Sequence, residues 1–251
     1  PMSGPVRMLR FPVRQLRLRQ RQLLASLPFT IVVLRGYSWQ LFLIAERYEM
    51  HRQLIAILRG IRTDEAAAVC DALLSAGITQ IEVPLNSPHP MRTIEMMVEQ
   101  YGAEARIGAG TVLTSTDVDV LAEIGADMVI SPNMDREVIA RTKHHGLMSC
   151  PGILTPSEGF AALAAGADML KLFPADIVGP SGVKALRAVF PDDVKLAAVG
   201  GVGLGKLSVW AEAGITAFAI GSSLYKPGML AREVGAVARQ LVAEYDGLKR
   251  K

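Results

Sequence analysis

A short pattern occurs four times along the chain, and it restricts the possible folds more than any other feature of the sequence. In each copy a helical stretch ends at a glycine and an apolar run follows: "SAGITQIEVP", "EIGADMVISP", "AAGADMLKLFP" and "EAGITAFAIG". Glycine directly after a helix supplies the left-handed residue that ends it, and β-branched and apolar residues then begin a strand. The repeat therefore predicts strands that alternate with helices.

The spacing of the repeat predicts further strands. The four glycines are 41 to 48 residues apart, about twice the length of one strand–helix unit. Additional strands fit "LIAIL" (54–58), "ARIGAG" (105–110), "LMSCPG" (147–152) and "VKLAAVGG" (194–201). Eight parallel strands in residues 50–251 predict a compact α/β fold, the (β/α)8 TIM barrel. A doubly wound open sheet is the alternative, but the first turn, "LRGIRTDEA", lacks the glycine-rich motif of that fold.

The first 49 residues differ in composition from the rest of the chain. They contain eight Arg, no Lys and two Glu, a net charge of +6, which leaves −3 for the remainder. A basic stretch followed by apolar residues resembles a transit peptide or signal anchor, but Pro28 and Arg35 interrupt the apolar run. We expect residues 1–49 to be an extension outside the core domain, with the native protein starting at Met50. The acidic body predicts neither nucleic acid nor a membrane as a partner.

The cysteines and histidines predict a reduced protein without a metal. Cys70 and Cys150 lie in apolar surroundings without CxxC spacing, which is typical of buried thiols in a cytoplasmic protein. The four histidines show neither HxH nor HExxH spacing. We therefore expect no metal and no other cofactor.

Two ionisable residues lie within runs that are otherwise typical of buried strands. Lys171 lies near the end of the sixth predicted strand, in "DMLKLFPA", and Glu82 lies in the second, in "QIEVPLNSP". Barrel active sites form at the carboxyl ends of the strands, which favours Lys171 over Lys195 at the start of "VKLAAVGG". Even-numbered strands contribute to the same interior layers, so Glu82 and Lys171 can face one cavity. A buried structural ion pair is the alternative interpretation.

Further candidates end three other strands. Arg59 ends the first strand in "AILRG", where its guanidinium can hold a carboxylate with two hydrogen bonds. "AVGGVG" and "AIGSS" end the seventh and eighth strands, where barrels often bind phosphate through backbone N–H groups. Gly200, Gly201, Gly221 and Ser222 are therefore the predicted phosphate-binding residues.

These residue types together indicate a class of chemistry. A neutral lysine amine condenses with a ketone to an iminium, which accepts electrons during carbon–carbon cleavage, while a carboxylate transfers protons. Lys171 and Glu82 are the candidate catalytic pair. Two other classes stay open: a phosphosugar epimerase or isomerase that never bonds to its substrate, and a non-catalytic barrel that binds a phosphorylated ligand.

Eight blocks, in order along residues 54–225, resemble one known family: "LIAILRG", "IEVPLNSP", "IGAGTVL", "ISPN", "CPGILTPSE", "LKLFPA", "AVGGV" and "IGSSLY". This part of the chain is similar to the 2-keto-3-deoxy-6-phosphogluconate/6-phosphogalactonate aldolases, carbon–carbon lyases that work through a lysine Schiff base. The resemblance implies a (β/α)8 homotrimer that needs no metal. It also implies cleavage of a phosphorylated sugar acid to pyruvate and glyceraldehyde 3-phosphate.

One block resembles one branch of that family more than the other. "IEVPLNSP" is similar to the phosphogalactonate branch, whereas the phosphogluconate branch more often has an LEVTLRT-like block with arginine at the position of Asn86. The resemblance thus implies 2-dehydro-3-deoxy-6-phosphogalactonate as the substrate. The 6-phosphogluconate epimer is the alternative.

The resemblance also implies a role for individual residues. Lys171 matches the Schiff-base lysine and Glu82 the general acid/base, while Arg59 and Thr111 match contacts to the substrate carboxylate and hydroxyl. The glycine-rich ends of the last two strands match the phosphate site. Gly203 departs from the family, in which Thr or Ser often caps the next helix, so we expect a looser start to that helix.

Overall fold

The computed structural model describes residues 51–248 of the 251-residue chain. The predicted extension, residues 1–49, lies outside the described residues. The described part contains nine strands: β1 Leu54–Ile57, β2 Gln80–Pro84, β3 Arg106–Gly110, β4 Met128–Ile130, β5 Met148–Cys150, β6 Gly152–Ile153, β7 Leu170–Leu172, β8 Leu196–Val199 and β9 Ala217–Ile220. It also contains eight α-helices: α1 Thr63–Ala76, α2 Pro90–Tyr101, α3 Ser115–Glu123, α4 Arg136–His144, α5 Pro156–Ala164, α6 Ala175–Arg187, α7 Leu207–Glu212 and α8 Ala231–Leu248.

The strands form a parallel sheet that curves into a barrel. Their order is β5-β4-β3-β2-β1-β9-β8-β7-β6, so the two end strands are neighbours in sequence, separated by Pro151 alone. The Ser131 N–H donates to the Cys150 carbonyl at 3.1 Å on one side, and the Lys171 N–H donates to the Pro151 carbonyl at 2.9 Å on the other. The α/β barrel is confirmed.

The number of strands differs from the prediction of eight, because the fifth predicted strand, 147–152, is divided into β5 and β6. Proline has no N–H to donate to a neighbouring strand and restricts its own φ, so it interrupts the ladder. The polypeptide nevertheless continues between the two halves. The difference is therefore local to Pro151 and leaves the order of the other strands as expected.

The glycines of the repeat end their helices as predicted. Gly77, Gly125, Gly166 and Gly214 all have left-handed backbones, with φ between 81° and 107°. In each case the next strand begins three or four positions later. This conformation costs a residue with a Cβ atom more than it costs glycine.

Side chains of the strands alternate between two apolar clusters. The outer cluster fills the space between the strands and helices and includes Leu54 and Ala56 of β1. The inner cluster fills the barrel and consists of Ile55, Ile57, Met128, Ile130, Cys150, Met169, Ala197, Val199, Ala217 and Ala219. Successive side chains of a strand point to opposite faces, so each strand contributes to both clusters.

This alternation directs both candidate catalytic side chains into the barrel. Ile81 and Val83, on either side of Glu82 in β2, belong to the outer cluster. The two leucines that flank Lys171 in β7 belong to it as well. Glu82 and Lys171 therefore face the interior, on opposite sides of β1, β9 and β8 in the strand order. In residues 51–248, no helix combines the length and apolar character needed to span a membrane.

Candidate active site

Glu82 and Lys171 are buried in the barrel without pairing with each other. Glu82 is 1% exposed and Lys171 5%, and none of the ion pairs within residues 51–248 joins them. The Lys171 Nζ lies 4.8 Å from the centroid of the Phe173 ring, a cation–π distance. The alternative of a buried structural ion pair is therefore not the arrangement found.

Burial and two nearby cations affect the pKa of the Glu82 carboxyl group. Burial raises its pKa above the ordinary value, because desolvation disfavours the charged form, and the charges of Lys171 and Arg59 oppose this rise. Its Oε2 atom is buried and accepts no hydrogen bond from the described residues. Such a carboxyl group can hold a proton to higher pH than an exposed one and can transfer it to a bound molecule.

Gly110 leaves the space that the Glu82 carboxyl group occupies. A Cβ atom on Gly110 would lie 1.5 Å from the Glu82 Oε2 and 2.5 Å from its Cδ. Gly110 ends β3, the strand that pairs directly with β2. Any side chain at residue 110 would displace the carboxyl group, which the sequence alone did not reveal.

Arg59, Asn86 and Thr111 meet at the carboxyl ends of β1, β2 and β3. The Arg59 Nη1 donates to the Asn86 Oδ1 at 2.5 Å and to the Thr111 Oγ1 at 3.5 Å. Thr111 has a left-handed backbone with φ of 57°, a conformation that costs a threonine of the order of 1–3 kcal/mol and tends to occur at functional sites. The structure thus brings together the two predicted substrate contacts, Arg59 and Thr111, and places Asn86 beside them.

The glycine-rich ends of β8 and β9 present free backbone donors. Gly200 and Gly201 follow β8 with φ of 97° and 70°. The backbone N–H groups of Gly201, Ser222 and Ser223 donate no hydrogen bond to a described residue. Gly221, directly after β9, lies against β1, because its Cβ position is 3.9 Å from Ile57. The end of β9 therefore lies beside β1, the strand that precedes Arg59, and the free donors at both ends can hold an anion.

The start of α7 is capped from a distant helix. No side chain caps α7 locally, as the glycine at residue 203 predicted. However, the Gly205 N–H donates to Glu244 Oε2 at 2.7 Å and the Leu207 N–H to Glu244 Oε1 at 2.9 Å. Glu244 belongs to α8 and replaces the missing cap, so the expectation of a looser helix start is not met.

The two cysteines are buried free thiols, as predicted. Cys150 belongs to the inner cluster, where Lys171 and Glu82 both influence it electrostatically. Burial raises the pKa of the Cys150 thiol to about 12, which leaves it protonated and a poor nucleophile near neutral pH. Among residues 51–248, no cluster of three or more His, Cys, Asp or Glu side chains could bind a metal ion.

A concave feature lies at the amino ends of the strands, opposite the end where Arg59 and Thr111 meet. This cavity of about 340 Å³ is lined by residues that precede or begin strands, among them Gln53, Arg106, Asp168 and Lys195. Lys195 therefore faces the amino ends of the strands, whereas Lys171 faces the interior. Of the two lysines, Lys171 is the one that is buried and close enough to the Glu82 carboxyl group for its charge to affect it.

Known proteins with similar sequences agree on one family. The family model described as KDPG and KHG aldolase matches residues 46–239. A probable 2-dehydro-3-deoxy-6-phosphogalactonate aldolase of Rhizobium meliloti (strain 1021) is 49% identical over 199 residues, covering 79% of this chain and 94% of the relative. A 2-dehydro-3-deoxy-6-phosphogalactonate aldolase of Escherichia coli (strain K12) is 45% identical over 192 residues, covering 76% and 94%.

A solved structure supports the same assignment. The structure described as native KDPGal superposes with a TM-score of 0.78 at 43% sequence identity. The alignment covers 79% of this chain and 96% of that chain. The similarity therefore includes nearly the whole of the solved protein and the barrel described above.

Proposed function

The chain belongs to the KDPG and KHG aldolase family, and we propose that it cleaves 2-dehydro-3-deoxy-6-phosphogalactonate to pyruvate and glyceraldehyde 3-phosphate. It is thus an aldolase, a carbon–carbon lyase. The observation that carries the mechanism is the buried, unpaired Lys171 in the same interior as the Glu82 carboxyl group. The relatives at 49% and 45% identity are both named for the phosphogalactonate, which supports this substrate over its 6-phosphogluconate epimer.

The first half of the reaction joins Lys171 to the substrate. The neutral Nζ attacks the C2 carbonyl carbon and forms a carbinolamine, and loss of water leaves an iminium. Glu82 supplies the proton that converts the C2 hydroxyl into the leaving water. Arg59 holds the adjacent C1 carboxylate at the barrel rim, where its guanidinium can donate two hydrogen bonds, and the neighbouring Thr111 hydroxyl lies within reach of a substrate hydroxyl.

The second half breaks the C3–C4 bond. The C4 hydroxyl gives its proton to Glu82, the C4 carbon becomes the aldehyde of glyceraldehyde 3-phosphate, and the bonding electron pair moves into the enamine on Lys171. Protonation of the enamine at C3 restores an iminium, and water releases pyruvate and the free lysine. These steps balance without a metal or another cofactor.

The phosphate end of the substrate fits the ends of β8 and β9. Gly200, Gly201, Gly221 and Ser222 are the proposed phosphate-binding residues, because unpaired backbone N–H groups there can donate to phosphate oxygens. Lys206 adds a nearby cation, since its Nζ lies 3.5 Å from the Gly201 carbonyl oxygen. β9 pairs with β1 and β8 pairs with β7. The phosphate would therefore lie between the strands that carry Arg59 and Lys171.

Substitution of Gly110 tests the role of the Glu82 carboxyl group. We expect Gly110→Ala to lower kcat by about 10²-fold. The added methyl group would overlap the Glu82 carboxyl group and push it aside by more than about 1 Å, and a misplacement of about 1 Å is enough for a loss of this size. Covalent trapping of pyruvate should persist, since Lys171 is unchanged. Steady-state kinetics and thermal unfolding check both points.

Gly247→Ala is the matched control. Gly247 lies in α8, and a Cβ atom there would meet no atom within 4 Å. This variant should keep the parental kcat. Parental kcat in Gly110→Ala as well would contradict the catalytic position of Glu82.

The two epimers test the substrate assignment. We expect kcat/KM for the 6-phosphogalactonate to exceed that for the 6-phosphogluconate by roughly 5- to 150-fold, the value of one buried hydrogen bond to the C4 hydroxyl. The measurement is kcat/KM for both purified epimers under the same conditions. Faster cleavage of the gluconate form would overturn the branch assignment while leaving the lyase mechanism intact.

The proposal extends to assembly and location. We expect a homotrimer, which would cover exposed apolar side chains such as Phe160 of α5 and Ile177 of α6. A cytoplasmic location fits the two free thiols. Residues 50–251 are the proposed catalytic domain, and residues 1–49 an extension without a catalytic role.

A further inference from the structure

We infer that Asn86 is a positioning residue that holds Arg59 in place for the carboxylate of the substrate. The inference rests on the proposed function and deepens it. Its basis is the hydrogen bond of 2.5 Å from the Arg59 Nη1 to the Asn86 Oδ1. Arg59 follows β1 and Asn86 follows β2, so the contact joins two adjacent loops at the carboxyl end of the barrel.

Arg59 needs support because its side chain is long and exposed. An arginine that recognises a carboxylate with two hydrogen bonds must hold its planar group in one orientation. Its only hydrogen-bond acceptors among residues 51–248 are the amide oxygen of Asn86 and the hydroxyl of Thr111. These two contacts therefore define the orientation of the guanidinium.

Both acceptors are uncharged, which preserves the charge of Arg59 for a ligand. None of the ion pairs between described residues includes Arg59. A carboxylate at residue 86 would form the same hydrogen bond but would also neutralise the guanidinium. A neutral amide oxygen positions the cation while leaving it free to attract the substrate carboxylate.

The backbone beneath Asn86 is itself fixed. Ser87 is buried, and its Oγ accepts a hydrogen bond from the Gly60 N–H at 2.9 Å. Gly60 has φ of 82°, and a Cβ atom there would lie 2.7 Å from the Pro227 ring. The residues after Asn86 and after Arg59 are thus bonded to each other.

The position of Arg59 also affects the acid/base group. The Arg59 charge lowers the pKa of Glu82 and so opposes the effect of burial. Movement of Arg59 away from the barrel would remove this opposition and raise the pKa of Glu82 further. An Asn86 variant should therefore shift the acidic limb of the kcat profile to higher pH, an effect that a purely structural role would not produce.

Pyruvate is the probe that isolates the carboxylate contact, because it has the carboxylate and ketone of the substrate but neither the C4 hydroxyl nor the phosphate. The experiment measures the pyruvate concentration that gives half-maximal borohydride trapping. Four proteins form a double-mutant cycle: the parent, Asn86→Ala, Arg59→Met and the double variant. Asn133→Ala is the control, an exposed asparagine that follows β4 at the same end of the barrel.

We expect Asn86→Ala to raise the half-maximal concentration about tenfold in the parent, as for one lost hydrogen bond to a charged group. In the Arg59→Met background the same change should alter it less than about twofold, because the group that Asn86 positions is absent. Asn86→Asp should also weaken trapping despite keeping the hydrogen bond, and Asn133→Ala should match the parent.

Two outcomes would overturn the inference. Equal effects of Asn86→Ala in both backgrounds would show that Asn86 contacts the ligand directly, and no effect in the parent would show that Arg59 needs no positioning. Failure of the parent protein to be trapped by pyruvate at any concentration would instead contradict the Schiff-base proposal. Failure of the inference about Asn86 is therefore distinguishable from failure of the proposed function.

Discussion

Lys171→Met should reduce turnover below about one part in 10⁴ of the parental value and should eliminate covalent trapping by pyruvate and borohydride. The variant lacks the amine that forms the iminium, and the nearby Cys150 thiol is a poor substitute nucleophile, because burial keeps it protonated. Both measurements use the full chain, with a coupled assay for pyruvate release and mass spectrometry for the adduct.

The fold should survive this substitution. Lys171 is buried beside Phe173 and next to the inner apolar cluster, and an apolar side chain of similar length in such surroundings is usually tolerated. Thermal unfolding should therefore show a midpoint equal to or above that of the parent. Lys195→Met is the matched control, because Lys195 is exposed at the amino ends of the strands, and it should retain parental activity and trapping.

Near-parental cleavage by Lys171→Met would exclude the Schiff-base role of this residue. An epimerase or isomerase mechanism on the same barrel would then become the leading explanation, since it needs no covalent bond to the substrate. If the parent protein binds the substrate but never cleaves it, the non-catalytic barrel is favoured instead.

Glu82→Gln should slow turnover by roughly 10²-fold or more while still permitting some trapping with pyruvate. Glutamine matches the shape of glutamate and fits the space over Gly110, but it cannot accept the C4 proton or return one to the enamine. Formation of the iminium from pyruvate depends first on the Lys171 amine, so this step is slowed but not lost. The measurements are kcat with the phosphogalactonate and the rate of adduct formation with pyruvate.

The comparison of Glu82→Gln with Lys171→Met tests which residue forms the covalent bond and which transfers the proton. Loss of trapping in Glu82→Gln as complete as that in Lys171→Met would mean that the carboxyl group is required for formation of the covalent bond. A parental kcat in Glu82→Gln would mean that another group transfers the proton. Either result would contradict the separate roles proposed for Lys171 and Glu82.

Much of the fold was predictable because it depends on local sequence. The four helix-ending glycines adopt left-handed backbones, and the apolar runs after them form strands of one parallel barrel. The fifth strand was predicted as one continuous strand from the apolar run 147–152, but Pro151 divides it into β5 and β6. The cost of a proline within a ladder outweighed the apolar pattern there.

The candidate site was predictable only in part. Glu82 and Lys171 stand out because an ionisable residue in a buried strand is costly, and the two-residue period of a strand then directs both inward. The contact from Arg59 to Asn86 spans 27 positions, and the cap that Glu244 provides for α7 spans 37 to 39. The space that Gly110 leaves for Glu82 likewise depends on strand register. Such long-range contacts leave no local pattern in the sequence.

Mass spectrometry of the adduct provides the most direct test of the central claim. The parent protein is incubated with pyruvate, reduced with borohydride and digested, and the modified peptide is identified. The proposed mechanism predicts one adduct per chain, on the peptide that contains Lys171 and on that lysine. An adduct on Lys195 or Lys184, or none at saturating pyruvate, would contradict it.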